Sequence, residues 1–258
     1  MFELIEIQQT LNQFLWPFIR ISALIMTMSV LGARTIPNPV KLSLAILITV
    51  LLMPGLPAGQ SITVLSGTGF VTVLAQLGIG IGMGLATRML FETFVIGGQM
   101  VAMQTGLGFA SLVDPSNGVQ VPILGQFFLM LVTLIFLAVD GQLLMIRIVA
   151  ESFHSFPISD NGLSQQSIWS FVEFARWMFA GAVMMAISAA LALLIVNLTF
   201  GVMTKAAPQL NIFAIGFPIS MVTGLLIIWL TLGGFNTHFD NQFGRTMQLV
   251  CSLIELEC

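Results

Sequence analysis

The sequence predicts an all-α integral membrane protein, and three observations support this fold class. Hydrophobic residues make up 57% of the 258 residues and charged residues 7%, whereas an ordinary soluble domain is about 25% charged. The apolar residues form uncharged runs of the kind that membrane helices use. No polar stretch approaches the ~50 residues of an independent domain. We therefore expect one membrane-embedded domain over residues 1–258, built as a bundle of about six to eight helices in contact with lipid.

Seven apolar runs follow one another along the chain, and most of them fit a simple membrane span poorly. They occupy residues 21–33, 42–53, 61–87, 93–113, 122–139, 177–204 and 209–235. A straight crossing of ~30 Å needs about 20 apolar residues, so the first two runs are short, and Pro54 ends the second. The next two contain many glycines, and Pro218 is expected to kink the last one. We expect bent helices interrupted by glycine and proline.

The stretch GIGIGMG indicates a helix that packs closely against another helix. It contains two overlapping GxxxG spacings, Gly78 with Gly82 and Gly80 with Gly84, which remove side-chain bulk from one face. We therefore expect close helix packing at these four glycines. A phosphate-binding loop is rejected because no strand precedes the stretch and no lysine follows it.

A few charged side chains lie within or next to the apolar runs. They are Arg20, Arg88, Glu92, Asp140 and Arg147. Each would cost about 2.5–3.5 kcal/mol at the centre of a bilayer, so we expect them to face protein or water or to lie at helix ends. An acid inside a membrane can also relay protons. A proton-coupled small-solute transporter that uses Asp114 or Asp140 is therefore an alternative function.

The segment GLGFASLVDPSNGVQVP, residues 106–122, predicts a movable loop near the middle of the chain. Gly106, Gly108 and Gly118 permit positive φ, and Pro115 and Pro122 stop a helix. Asp114, followed by Ser116 and Asn117, favours a turn ordered through its own backbone. A plain connection between two helices is the alternative interpretation of this segment.

Candidate catalytic, metal-binding and cofactor-binding residues are sparse. His154 and His238 are far apart and have no neighbouring ligands at helical spacing. Cys251 and Cys258 have a C-x6-C spacing that matches neither a zinc site nor a redox pair, and we interpret them as incidental. No serine nucleophile motif is present. These observations predict no enzyme activity, no metal and no cofactor. The net charge of −3 comes from singly scattered residues, so we also expect no nucleic-acid partner.

Three motifs, in order along the chain, resemble one family. They are ARTIPNPVKLSLA (33–45), GLGFASLVDP (106–115) and KAAPQLNIFAIGFPIS (205–220). Together they resemble the FliR family of flagellar type III export-gate proteins, which is called SctT in virulence injectisomes. The resemblance covers essentially the whole chain from WPFIRISALI (16–25) onward. Pro39 stands where many relatives are expected to carry a basic residue.

The resemblance implies a subunit of a hetero-oligomeric export gate in the bacterial inner membrane, within the flagellar basal body. FliP-type and FliQ-type subunits would complete the conduit, FlhB-type and FlhA-type subunits would be further neighbours, and unfolded flagellar proteins would pass through it. The helices would form bent hairpins packed against other subunits. By resemblance, residues 106–122 match the loop that plugs the closed gate. Its apolar and turn positions are Gly106, Leu107, Gly108, Phe109, Leu112, Val113, Asp114, Pro115 and Gly118.

Two prolines mark a further segment that is expected to contact a partner. Pro208 and Pro218 flank QLNIFAIGF, and their rings would bend this stretch so that it wraps around a neighbouring subunit. A structural scaffold with no residue lining a pore is the remaining alternative to the export gate and the transporter.

Overall fold

The computed structural model describes residues 2–57, 66–109, 111–113, 120–158, 164–206 and 212–256. These residues form eight α-helices and one pair of short strands. The helices are α1 (Phe2–Thr27), α2 (Asn38–Leu52), α3 (Gly67–Thr105), α4 (Ile123–Ala138), α5 (Gly141–Ser155), α6 (Gln165–Ala206), α7 (Ile212–Thr231) and α8 (Phe235–Leu253). The strands are β1 (Ser111–Val113) and β2 (Gln120–Pro122). The predicted all-α membrane fold is confirmed.

Several of these helices have the length and apolarity of membrane spans. Among the described residues, four helical stretches are by themselves long and apolar enough to cross a membrane, at Asn38–Gly55, Gly67–Thr105, Gln165–Ala206 and Pro218–Leu253. A fifth is possible if α4 and α5 count as one span with a 61° bend. Asp140 lies at this bend in a left-handed conformation, with φ of 55°. The apolar run at 122–139 therefore ends at a sharp turn beside an exposed acid.

Two apolar runs that are separate in the sequence lie in a single helix. The 39-residue α3 contains both the GIGIGMG stretch and the glycines near residue 97, and it continues through Arg88 and Glu92. A helix tolerates glycine where close packing compensates for its backbone entropy, and α3 has such contacts along its length. Two prolines lie inside other helices. Pro17 lies inside α1 and Pro218 inside α7.

Contacts among the helices group into two compact units. The first contains Met1–Met89, Phe136–Ala175 and Gly244–Cys258, and the second contains Leu90–Ile135 and Arg176–Phe243. Helices α3, α4, α6 and α8 each run from one unit into the other. The single-domain organisation stays a prediction.

A buried arginine organises the interior of the first unit. Arg20 of α1 is fully buried, and its Nε donates to Gln76 Oε1 of α3 at 2.7 Å. Its Nη1 donates to both the carbonyl and the hydroxyl of Ser152 at 2.9 Å, and Nη2 donates to the carbonyl of Phe156 at 3.1 Å. The guanidinium also lies 4.3 Å from the ring centroid of Phe153. Because these acceptors include carbonyls at the end of α5, Arg20 caps the negative end of that helix dipole.

A buried lysine has a similar role at the end of α1. Lys41 of α2 is buried, and its Nζ donates to the carbonyl of Gly32 at 2.9 Å in the turn that follows α1. A side chain at Gly32 would overlap the carbonyl oxygens of Met28, Met26 and Ile25. The absence of a Cβ therefore lets the turn fold back onto the last residues of α1.

Aromatic side chains form the core of the second unit. The ring centroid of Phe235 lies 5.0 Å from that of Phe94 and 5.7 Å from that of Phe128, and Phe239 stacks on Phe243 at 5.5 Å. These contacts join α3 and α4 to α8. Beside them lies a cavity of about 310 Å³, whose lining includes His238, Ser188 and Thr231 among apolar residues.

Cys251 is disulfide-bonded near the end of α8. This finding differs from our interpretation of the two cysteines as incidental. Cys258 lies outside the described residues.

Candidate functional site

The segment 106–122 begins with a sharp reversal at the end of α3. Thr105 is the last residue of the helix, and Gly106 has φ of 75°, the left-handed conformation that commonly ends a helix. The hydroxyl of Thr105 donates to the carbonyl of Ala102 at 2.9 Å and accepts from the backbone N–H of Leu107 at 3.3 Å. Residues Leu107–Phe109 form one 3-10 turn. Gly106 therefore redirects the chain immediately after the helix.

The described part of the segment continues as an antiparallel strand pair. Ser111 is opposite Pro122, Leu112 is opposite Val121, and Val113 is opposite Gln120. The connection between the strands spans residues 114–119, so Asp114, Pro115 and Gly118 lie outside the described residues. For Phe109, Leu112 and Val113 the structure describes the backbone alone. The predicted loop thus contains a short hairpin, and its plug role stays a prediction.

The two helices that carry the ends of this segment pack closely against each other. A Cβ added at Gly98 of α3 would lie 2.9 Å from the carbonyl oxygen of Leu124 and 3.1 Å from Cα of Gly125 in α4. Gly125 in turn faces the backbone of Val95, 3.5 Å from its added Cβ. Because Pro122 directly precedes α4, both ends of the segment leave from one helix pair. This pair is a fixed base for the loop.

The neighbouring glycine of α3 faces a different helix. A Cβ at Gly97 would lie 3.2 Å from the carbonyl oxygen of Ala182 and 3.0 Å from the sulfur of Met185, both in α6. Consecutive glycines therefore allow α3 to approach α4 on one face and α6 on another. The sequence predicts that glycines interrupt the helices of this apolar run, whereas Gly97 and Gly98 lie inside α3 at contacts between helices.

The four glycines of the GIGIGMG stretch occupy different surroundings. A Cβ at Gly80 would lie 2.7 Å from Cβ of Ala23, and one at Gly84 would lie 2.8 Å from Cβ of Thr27, so both glycines face α1. Gly82 faces Leu253 of α8 at an ordinary 3.6 Å. Gly78 is half-buried. The Gly80 and Gly84 spacing therefore lies at the α1–α3 crossing.

The remaining candidate residues are not brought together at one site. Pro218 is exposed within α7 and Pro208 lies outside the described residues, so partner wrapping stays a prediction. Asp140 is exposed, and its carbonyl, not its carboxylate, accepts from the N–H groups of Leu143 and Leu144. Among the described residues no group of histidine, cysteine and acidic side chains could hold a metal ion.

Comparison with known proteins shows similarity along nearly the whole chain. Residues 11–246 match the model of the family described as Bacterial export proteins, family 1. The chain is 34% identical over 243 residues to the flagellar biosynthetic protein FliR of Pectobacterium carotovorum subsp. carotovorum, covering 94% of this chain and 93% of that protein. It is 32% identical over 244 residues to the protein of the same name from Escherichia coli (strain K12), covering 95% and 93%. For the protein of that name from Bacillus subtilis (strain 168), the identity is 24% over 246 residues, covering 94% and 95%. The chain belongs to family 1 of the bacterial export proteins.

Proposed function

We propose that this chain is a non-enzymatic subunit of the flagellar type III protein export gate in the bacterial inner membrane. With FliP-type and FliQ-type subunits it forms the conduit for unfolded flagellar proteins, and FlhB-type and FlhA-type subunits are its further neighbours in the basal body. Similarity to FliR proteins over nearly the full length of both chains supports this assignment. Energy from nucleotide hydrolysis or a proton gradient acts through partners, since the chain carries no nucleotide-binding motif.

The loop at 106–122 and the packed helix pair that holds both of its ends support a closing role. Residues 106–122 leave the α3–α4 pair, which packs through Gly98 and Gly125, and they begin at the left-handed Gly106. A segment with an anchored base and a turn-forming tip can move without disturbing the helices around it. The loop closes the conduit when no protein is being exported, and it moves aside when one enters.

The length of α6 supports partner subunits in addition to lipid. Its 42 residues measure about 63 Å along the helix at 1.5 Å per residue, twice the ~30 Å of a hydrocarbon core. Exposed apolar side chains occur from Ile168 to Met203, a stretch of about 52 Å along the helix. Even a 40° tilt brings this stretch to about 40 Å across the bilayer. Part of the apolar surface therefore lies outside the hydrocarbon and is covered by protein.

The experiment that tests the closing loop is a deletion of Gly106–Gly118 in cells that also make the natural membrane neighbours. Residues 119–122 would then join α3 to α4, and four extended residues span about 13 Å, which exceeds the usual 8–10 Å between packed helix axes. The shortened chain should assemble into the particle, and the membrane should leak ions.

A length-preserving variant separates apolar filling from simple obstruction. Phe109, Leu112 and Val113 are replaced by serine, and ion leak is measured with a membrane-potential dye beside the deletion and the unaltered chain. We expect leak from both variants at normal particle yield. An ion-tight membrane with the deletion variant fully assembled would reject the closing role.

A further inference from the structure

The end of α3 is enclosed by two helices that are distant in the sequence. Thr105 is fully buried, and Gly224 of α7 faces it directly. A Cβ added at Gly224 would overlap Cγ2 of Thr105 and lie 2.9 Å from its Cβ, closer than real Cβ atoms approach. Leu193 of α6 lies 3.8 Å from the same added Cβ. The last turn of α3 thus fits against α7 only because residue 224 has no side chain.

Asn197 of α6 forms a hydrogen bond to the same turn of α3 and a second one to α7. Nδ2 of Asn197 donates to the carbonyl of Gln104 at 3.4 Å, and its Oδ1 accepts from the hydroxyl of Ser220 at 3.2 Å. The carbonyl of Gln104 is one of the last four of α3, which have no partner within the helix. Asn197 therefore supplies one of the missing donors at this helix end.

These contacts form one cluster, because the residues involved are spaced so that they share a helix face. Ser220 and Gly224 are four residues apart on α7, and Leu193 and Asn197 are four apart on α6, so each pair lies on one helix face. Asn197 is exposed between the exposed apolar residues Leu194 and Leu198. A polar amide on such a surface is costly in lipid, and here it links α3 to α7.

We propose that Asn197, Ser220 and Gly224 are positioning residues for the loop at 106–122. They hold the last turn of α3 in place. The position of that turn determines where the loop begins at Gly106 and in which direction it leaves the helix. This inference rests on the proposed closing role of that loop. When the end of α3 shifts, the loop stays present and of full length but no longer closes the conduit.

Gly224→Ala and Asn197→Leu test the proposal in two independent ways. The first introduces the Cβ that Thr105 leaves no room for, and the second removes both hydrogen bonds with a side chain of similar size. Gly201→Ala on α6 is the matched control, because an added Cβ there meets nothing within 4 Å. Particle yield and ion leak are measured for each variant beside the Gly106–Gly118 deletion.

The expected result is normal particle yield for all three variants, with a leak about tenfold above the unaltered chain for Gly224→Ala and Asn197→Leu, equal to about 1.4 kcal/mol. Gly201→Ala should match the unaltered chain. If Gly224→Ala lowers the yield, Asn197→Leu decides the question. Ion-tight membranes with assembled Asn197→Leu, beside a leaking deletion, would overturn this inference and leave the proposed function intact. An ion-tight deletion would instead overturn the proposed function itself.

Discussion

Replacing Arg20 with methionine is expected to destabilise the first unit by about 3 kcal/mol. Methionine fills most of the same volume but donates no hydrogen bond. The side chain of Arg20 is fully buried and donates to Gln76, Ser152 and Phe156. Among the side chains that the structure describes, no carboxylate pairs with it. Its charge is therefore stabilised by neutral acceptors and the end of α5.

The magnitude follows from which acceptors lose their partner. Ser152 keeps other bonds, since its hydroxyl donates to Val149 at 2.6 Å and its carbonyl accepts from the N–H of Phe156 at 3.0 Å. Gln76 Oε1 and the carbonyl of Phe156 lose the donor that Arg20 supplied. An unsatisfied buried acceptor costs about 1–3 kcal/mol. The cost for the part-buried Phe156 carbonyl is at the low end of this range, and the cost for the buried Gln76 oxygen is near the high end. The relief of guanidinium desolvation offsets part of the sum.

The assay is the melting temperature of the particle in mild detergent. For a chain of this size 1 kcal/mol corresponds to about 2–4 °C, so Arg20→Met should melt about 6–12 °C lower. Arg147→Met is the matched control, because the Arg147 side chain is 76% exposed and forms an exposed ion pair with Glu151. An exposed pair contributes about 0–1 kcal/mol.

Arg20→Lys adds a second comparison. Three different nitrogens of Arg20 reach its acceptors, whereas lysine has one nitrogen, so lysine should restore less than half of the loss. Equal melting temperatures for Arg20→Met and Arg147→Met would refute the role assigned to the buried guanidinium.

Two further predictions concern α3 and the bend after α4. Gly80→Ala should lower the melting temperature by the equivalent of about 1–3 kcal/mol, because its Cβ would meet the backbone of α1. Gly82→Ala, with an ordinary contact to Leu253, should be neutral or stabilising by up to about 1 kcal/mol. An equal drop in melting temperature for Gly80→Ala and Gly82→Ala would contradict the close α1–α3 contact at Gly80. Asp140→Asn should leave swimming motility unchanged, because asparagine tolerates the left-handed conformation. Lost motility at normal particle yield would favour the proton-relay alternative.

The fold class could be predicted from the sequence because it depends on composition and on the length of apolar runs. A close helix contact could also be inferred from the sequence, since Gly80 and Gly84 are four residues apart and both face α1. The sequence did not reveal that two apolar runs form the single helix α3. Arg88 and Glu92 interrupt an apolar run by their chemistry, but they do not interrupt the backbone hydrogen bonds of a helix.

Contacts between distant residues could not be predicted from local patterns. Arg20 meets Ser152 across 132 positions, and Gln104 meets Asn197 across 93. Neither Asn197 nor Gly224 belongs to a motif, so nothing in the sequence marks them as partners of the turn before Gly106. The loop itself was identifiable because glycine, proline and Asx residues specify turns locally. Its base was not, because the base depends on how α3 packs against α4.

This chain has an apolar core like a soluble protein, but it also exposes many large apolar side chains and buries two cations. The cations Arg20 and Lys41 are buried, while Leu51, Val202 and Trp229 are each at least 70% exposed. In water the exposed apolar side chains would drive aggregation. Against lipid the same exposed side chains are favourable, and the buried cations have hydrogen-bond partners within the chain. Only 28% of the apolar window of α6 is buried within the chain, so the stability of that helix depends on what surrounds the chain.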